Sequence, residues 1–198
     1  ELGYCYDRLG RDEESVEAYD HHIDVDPYSQ DAWYNRGIVL NRMGRFDDAV
    51  SSYDMALAID DEFASAYYNR GNAQANKGDL NDAIESYESV LELEGPDAAT
   101  YYNLALAYEE KGNFDRARHY YEQALDQEST YPEAWYGLGC CFDAQEKYAE
   151  ALECFRYALT LDAGVPKFWK ARADCAYKAH RFDEALSAYQ RAVELDEG

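Results

Sequence analysis

Four histidines, five cysteines and 41 acidic residues are the groups in this chain that could hold a metal or attack a substrate. Their spacing does not gather them. His21 and His22 are adjacent near the end of a predicted helix, so their side chains diverge, while His119 and His180 lie far along the chain. Cys5, Cys140, Cys141, Cys154 and Cys175 contain no Cys-x-x-Cys pair, and no His, Cys and carboxylate set has metal-ligand spacing. There is no glycine-rich phosphate loop, nucleophile elbow or triad, and with this many acids the carboxylate pairs at helical spacing carry no signal. The legible chemistry is recognition. Asn35, Asn69 and Asn103 recur at a step of 34 residues, and each follows a tyrosine: Tyr34, Tyr68 and Tyr102, a series that Tyr136 continues. A primary amide offers two donors and an acceptor, the complement of one peptide unit of an extended chain. A tyrosine offers a flat apolar face with a polar tip. No enzymatic activity, metal or cofactor is expected.

The elements that would position these groups follow from the same step. Gly37, Gly71, Ala105, Gly139 and Ala173 form one series, and Gly3 precedes it. Ala49, Ala83, Ala117, Ala151 and Ala185 form a second; Tyr19, Tyr53, Tyr87, Tyr121, Phe155 and Tyr189 a third; Trp33, Tyr67, Tyr101, Trp135 and Trp169 a fourth. No insertion interrupts them. Each unit reads as two helices. In the second, helical apolar spacing runs from Ala32 to Met43 and stops at Gly44, and a further helix opens near Phe46, with Asp47 the expected N-cap and Ala49, Val50, Tyr53, Ala56 and Leu57 its apolar stripe. Gly10, Gly78 and Gly112 are the equivalent turn glycines. One helix pair cannot bury its apolar face alone, so neighbours must stack. The class is all-α, a solenoid of stacked antiparallel helix pairs.

Taken together, the aromatic, small, aromatic, alanine, aromatic, alanine order resembles the tetratricopeptide repeat (TPR) family over the whole chain: a partial unit at 1–29, then 30–63, 64–97, 98–131, 132–165 and 166–198, read as one array. The chain departs from the family pattern at His22, Val90 and Ser15, and the closing proline survives only as Pro27, with Pro96, Pro132 and Pro166 displaced into neighbouring turns. The resemblance implies a superhelix whose concave wall is built by the first helix of each unit, and a protein-interaction module that binds an extended peptide or partner segment. The expected groove residues are Tyr34, Asn35, Ile38, Tyr68, Asn69, Asn72, Tyr102, Asn103, Leu106 and Tyr136, with Lys167 and Lys170 as an anchor for an anionic group. Two readings of the asparagine series stand side by side. It resembles the asparagine ladders with which TPR superhelices grip a peptide backbone, or it is a soluble motif residue bonded to a neighbouring helix. The tyrosines divide the same way, between peptide capture and packing on the adjacent helix. The ladder ends at Gly137 and Ala171; Glu109, Glu110, Glu133 and Asp143 make the middle of the wall acidic, and Lys167, Lys170 and Lys178 make its end basic. The two-carboxylate clamp with which some family members hold heat-shock protein tails is not expected, because Tyr68, Glu133 and Gly137 stand where its cations belong. Arg36, Arg70 and Arg172 are expected to lie across the repeat interface and pair with a nearby acid.

Charge narrows the partners. Lys and Arg number 18 against those 41 acids, a formal net of -23, and such a field repels phosphate backbones and anionic lipid. Neither nucleic acid binding nor membrane insertion is expected; the mean hydropathy is -0.68 and no apolar run approaches a bilayer span. Only six of the 18 basic residues are lysine, which fits either a high-salt environment or an ordinary acidic protein. Unpaired cysteines point to a reducing, cytoplasmic compartment. The chain opens at Glu1 inside a predicted helix, so the true N-terminus is expected upstream. The uncapped ends allow self-association, giving a scaffold as one alternative function and the regulatory arm of a larger enzyme as another.

Overall fold

The structure, a computed structural model, describes residues 1–196. Among them are twelve α-helices and no strand, in two compact units. The first, Glu1–Gly95, holds α1 (Leu2–Arg8), α2 (Asp12–Val25), α3 (Gln30–Arg42), α4 (Phe46–Ile59), α5 (Ala64–Lys77) and α6 (Leu80–Glu94). The second, Pro96–Gly198, holds α7 (Ala98–Glu110), α8 (Phe114–Gln127), α9 (Pro132–Ala144), α10 (Tyr148–Leu161), α11 (Pro166–Lys178) and α12 (Phe182–Asp196). Within each unit every helix packs on the next, and odd-numbered helices of successive pairs touch: α3 with α5, α7 with α9, and α9 with α11. Each unit therefore has an odd-helix wall and an even-helix side.

Helix ends follow local chemistry. Asp97 caps α7 by accepting from the Thr100 N–H at 2.8 Å, Asn113 caps α8 by accepting from the Arg116 N–H at 3.2 Å, and Pro132 and Pro166 open α9 and α11, where a missing N–H has no consequence. The expected cap at Asp47 is corrected: the cap position is two residues earlier, at Arg45, with α4 starting at Phe46 and Asp47 in its first turn. There the carboxylate still faces the positive end of the helix, and it takes an ion pair from Lys77 at 2.8 Å. Gly44 turns the chain after α3 with φ 75°, its N–H bonded to the Asn41 carbonyl at 3.0 Å. At the same register of later repeats Glu146 and His180 hold that left-handed conformation at φ 60° without being glycine.

The core is set by the repeat positions. Ala49, Ala83, Ala117 and Ala151 are fully buried, and so, to within 2 %, are Tyr53, Tyr87, Tyr121 and Phe155. Small residues let paired helices approach until the aromatic rings lie on the opposing backbone. A Cβ added at Gly37 would stand 2.6 Å from Tyr53 Cε1. Trp33, Trp135 and Trp169 donate their indole N–H to the Pro27, Ser129 and Ala163 carbonyls, each at 2.9 Å, fastening a helix to the turn before it. Arg36 bonds Asp20 at 2.6 Å and Arg70 bonds Asp54 at 2.9 Å; Arg172 reaches Glu184 only at 4.0 Å.

Candidate functional site

In the first unit Tyr34, Asn35 and Ile38 lie on α3, and Tyr68, Asn69 and Asn72 on α5. The Tyr34 ring is half-buried, with centroids 4.7 Å from Phe63 and 6.1 Å from Tyr53, and burial raises its hydroxyl pKa. Tyr68 packs edge-on against Tyr87 at 6.0 Å. The tyrosine stripe thus braces its own helix pairs while keeping a partly open edge on the wall. Asn69 joins two pairs: its amide donates to the Tyr34 hydroxyl at 2.8 Å and to the Ser65 carbonyl one turn back at 3.0 Å. Both donors are thereby engaged, and Oδ1 accepts no hydrogen bond among the described residues. Asn35 donates to the Asp31 carbonyl at 2.7 Å and retains its acceptor. Asn72 accepts from the buried Tyr87 hydroxyl at 2.8 Å. One repeat earlier Ile38 offers no acceptor, and the Tyr53 hydroxyl is buried without a partner, as is Asn41 Oδ1.

In the second unit Tyr102 and Asn103 are half-buried on α7, and Leu106 is 40 % exposed. Tyr102 packs on Tyr131 at 4.9 Å and on Tyr121 at 5.9 Å; Tyr136 on α9 packs on Phe168 at 5.0 Å and on Phe155 at 5.9 Å. The asparagine series stops here for a steric reason. A Cβ at Gly137 would lie 2.2 Å from Tyr121 Cζ, so the ring occupies the space the side chain would need. That ring donates its hydroxyl to Glu109 at 2.5 Å. Burial raises the Glu109 pKa and the tyrosine bond opposes the rise. Beside them burial pushes the Cys140 thiol up to about 12, so it stays protonated and inert at neutral pH. Asp143 and Lys178 neutralise each other at 2.5 Å. Lys167 and Lys170 are exposed; the Lys167 ammonium lies 5.3 Å from the Tyr136 ring centre and 5.4 Å from that of Phe168.

Cys141 and Cys175 are buried as small packing residues at a shared repeat position, whereas Cys5, at the same position, is exposed. Among the described residues no group of three or more His, Cys, Asp or Glu could hold a metal ion, and no helix is long and apolar enough to cross a membrane. One feature escaped sequence reasoning: a cleft of about 480 Å³ on the even-helix side of the second unit, between α8, α9 and α10, lined by Trp135, Leu138, Phe142 and Tyr157 with Glu122, Glu150 and Glu153 around it. The signal for it was present, in the replacement of the recurring arginine of positions 36 and 70 by Leu138.

Comparison with known proteins agrees with this architecture. Models described as tetratricopeptide repeat match residues 102–166, 142–198, 62–127 and 1–29, and one described as TPR repeat matches 39–78. No curated protein matches the sequence. Among solved structures, a tetratricopeptide repeat protein from Parabacteroides merdae aligns with TM-score 0.84 at 18% identity, over 97% of this chain and 76% of its own. MamA from Desulfovibrio magneticus RS-1, from its residue 41 onward, gives TM-score 0.80 at 19% identity over 85% and 95%. YrrB, described as a TPR protein with an unusual peptide-binding site, gives TM-score 0.73 at 22% identity over 91% and 93%. At these identities the likeness carries the fold. With repeat models matching residues 1–29 and 39–198, and successive helix pairs stacked within each unit, the chain belongs to the tetratricopeptide repeat family.

Proposed function

We propose that this chain is a polypeptide-binding module whose guest lies extended on the odd-helix wall of the first unit. The observation that carries this reading is the state of Asn69. Its two amide hydrogens are fixed by Tyr34 and Ser65, so Oδ1 is held in one orientation, with no hydrogen-bond donor on it among the described residues. A pre-oriented acceptor binds a peptide N–H without the ordering entropy a free side chain would lose. Asn35 adds a second acceptor one repeat away, and the edges of Tyr34 and Tyr68 supply apolar contact beside them. The family resemblance and the peptide-binding site ascribed to YrrB support the same reading. In the second unit the exposed Lys167 and Lys170 suit an acidic side chain or terminal carboxylate of a partner.

The test is selection of binders from a display library of unstructured peptides, followed by mapping of a selected peptide through amide-proton shifts. The reading expects shifts on α3 and α5 around Asn35 and Asn69. It also expects Asn69→Ala to weaken binding by about fivefold, the worth of one net hydrogen bond, while the lost bond to Tyr34 lowers stability by no more than about 1 kcal/mol and the variant stays fully folded at the assay temperature. Selected peptides that leave α3 and α5 unshifted contradict it.

A further inference from the structure

The repeat itself shows what the even-helix cleft lacks. In the second repeat Arg36 lies across the interface, 18% exposed, within 5.9 Å of the Trp33 ring centre. It bonds Asp20, sixteen residues before it, at 2.6 Å and Ser52, sixteen after it, at 2.7 Å. In the third repeat Arg70 repeats the arrangement over Tyr67 at 5.0 Å, with Asp54 at 2.9 Å and Ser86 at 3.0 Å. In the fifth repeat the same register reads Glu122, Trp135, Leu138 and Cys154. The aromatic and the acid remain, the guanidinium is replaced by a shorter apolar side chain, and these four residues line the cleft. In the fourth repeat, where Leu104 also replaces arginine, the residue sixteen positions on is Tyr120, whose ring stacks on Tyr108 at 5.4 Å and on Tyr101 at 6.2 Å. Cys154 is too small to do the same.

From this we infer that the cleft between α8, α9 and α10 is a binding site for the arginine side chain of a partner polypeptide, which takes the place that Arg36 and Arg70 occupy from within. Charge and shape agree. Glu150 has no ion-pair partner among the described residues. Glu122 has one contact, with Arg118 at 3.3 Å, and a carboxylate accepts several more hydrogen bonds. Glu153 is 63% exposed and pairs with Arg156 at 2.7 Å. Trp135 and Tyr157 stack at 4.7 Å. Arg156 lies 4.5 Å from the Tyr157 ring centre, and Arg118 and Lys147 each lie 5.9 Å from that of Phe142, so the rings that border the cleft already hold cations of this chain, and the proposed guest adds a guanidinium at the register of Leu138 between them. The site lies in the second unit, on residues other than those of α3 and α5 named above, and does not depend on the function proposed for them.

The test uses the full chain in roughly 0.15 M salt, where the overall negative field is screened beyond about 8 Å. The probe is acetyl-Gly-Arg-Gly-amide, compared with the same peptide carrying citrulline or norleucine, and the readout is the Trp135 indole N–H resonance. The expected result is a saturating shift with the arginine probe and at least about tenfold weaker binding of the citrulline peptide, the loss typical of a charge-assisted contact. Leu138→Arg rebuilds the Arg36 arrangement, so it is expected to fold and to abolish the shift. Glu122→Gln, at a partly exposed position, is expected to weaken the probe by about fivefold even if Leu138→Arg misfolds. Citrulline or norleucine binding within about twofold of arginine, or undiminished binding by either folded variant, overturns the proposal.

Discussion

The second and fifth repeats are built on one plan and present different surfaces. Both place an aromatic ring on a glycine backbone, Tyr53 on Gly37 and Phe155 on Gly139, each with a nearest approach of 2.6 Å for an added Cβ. Both fasten a tryptophan indole to the preceding turn at 2.9 Å. Yet the second repeat closes its outer cleft with Arg36 and buries an unpartnered tyrosine hydroxyl, while the fifth leaves the cleft open above Leu138 and buries a phenylalanine. The difference teaches where function can reside in such a chain. Positions under packing constraint repeat, and positions the packing tolerates are free to vary, so a change at one tolerated register marks a candidate site.

Substitutions that exchange the two repeats test this, and the largest effect belongs to the shared plan. Phe155→Ala empties a fully buried position and is expected to lower stability by about 3–5 kcal/mol, read from the urea midpoint at constant slope. Arg36→Leu gives the second repeat the character of the fifth. It removes the partner of Asp20 and one bond to buried Ser52, and is expected to lower stability by about 1–2 kcal/mol in the same assay. Tyr53→Phe runs the exchange in the core: it removes a buried hydroxyl with no partner among the described residues and is expected to raise stability by about 1 kcal/mol, whereas Tyr121→Phe, which strips Glu109 of its donor, should lower it. Glu146→Gly relieves a left-handed residue at the register of Gly44 and is expected to add about 1 kcal/mol to stability.

The smallest effect concerns pH. The folded-state pKa of Glu109 lies above its ordinary 4.5 because the carboxylate is desolvated. A raised carboxyl favours folding most while protonated, below the unfolded value, and that contribution fades as pH rises through the folded value. Glu109→Gln should therefore melt a few degrees above the parent at neutral pH, and the gap should close on acidification; a gap that widens in acid contradicts the assignment.

The repeat step made the fold legible, because core positions of a solenoid are fixed by neighbours of the same kind, and the tyrosines, alanines and tryptophans named their own contacts. The candidate wall was legible only as a set of residues. Sequence places Asn35 and Asn69 in register and Asn72 one turn beyond Asn69, but their bonds depend on what stands opposite: Tyr34 beside Asn69, Tyr87 beside Asn72, and no such hydroxyl in the bonding of Asn35. The charge gradient along the second unit was likewise legible in residue types and is altered by the Asp143–Lys178 pair, which joins side chains 35 positions apart. The cap at Arg45 was missed by two residues, since aspartate is favourable both at a cap and in the turn after it. The cleft above Leu138 was missed because its evidence lies in comparison between repeats, not within one.

The most direct test of the central claim is a double-mutant cycle between Asn69→Ala and N-methylation of each backbone amide in turn of a selected peptide. If Asn69 Oδ1 accepts a peptide N–H, one methylated position will weaken binding to the parent by about fivefold and have no further effect on the variant. Losses that add at every position would show that Asn69 grips no peptide backbone.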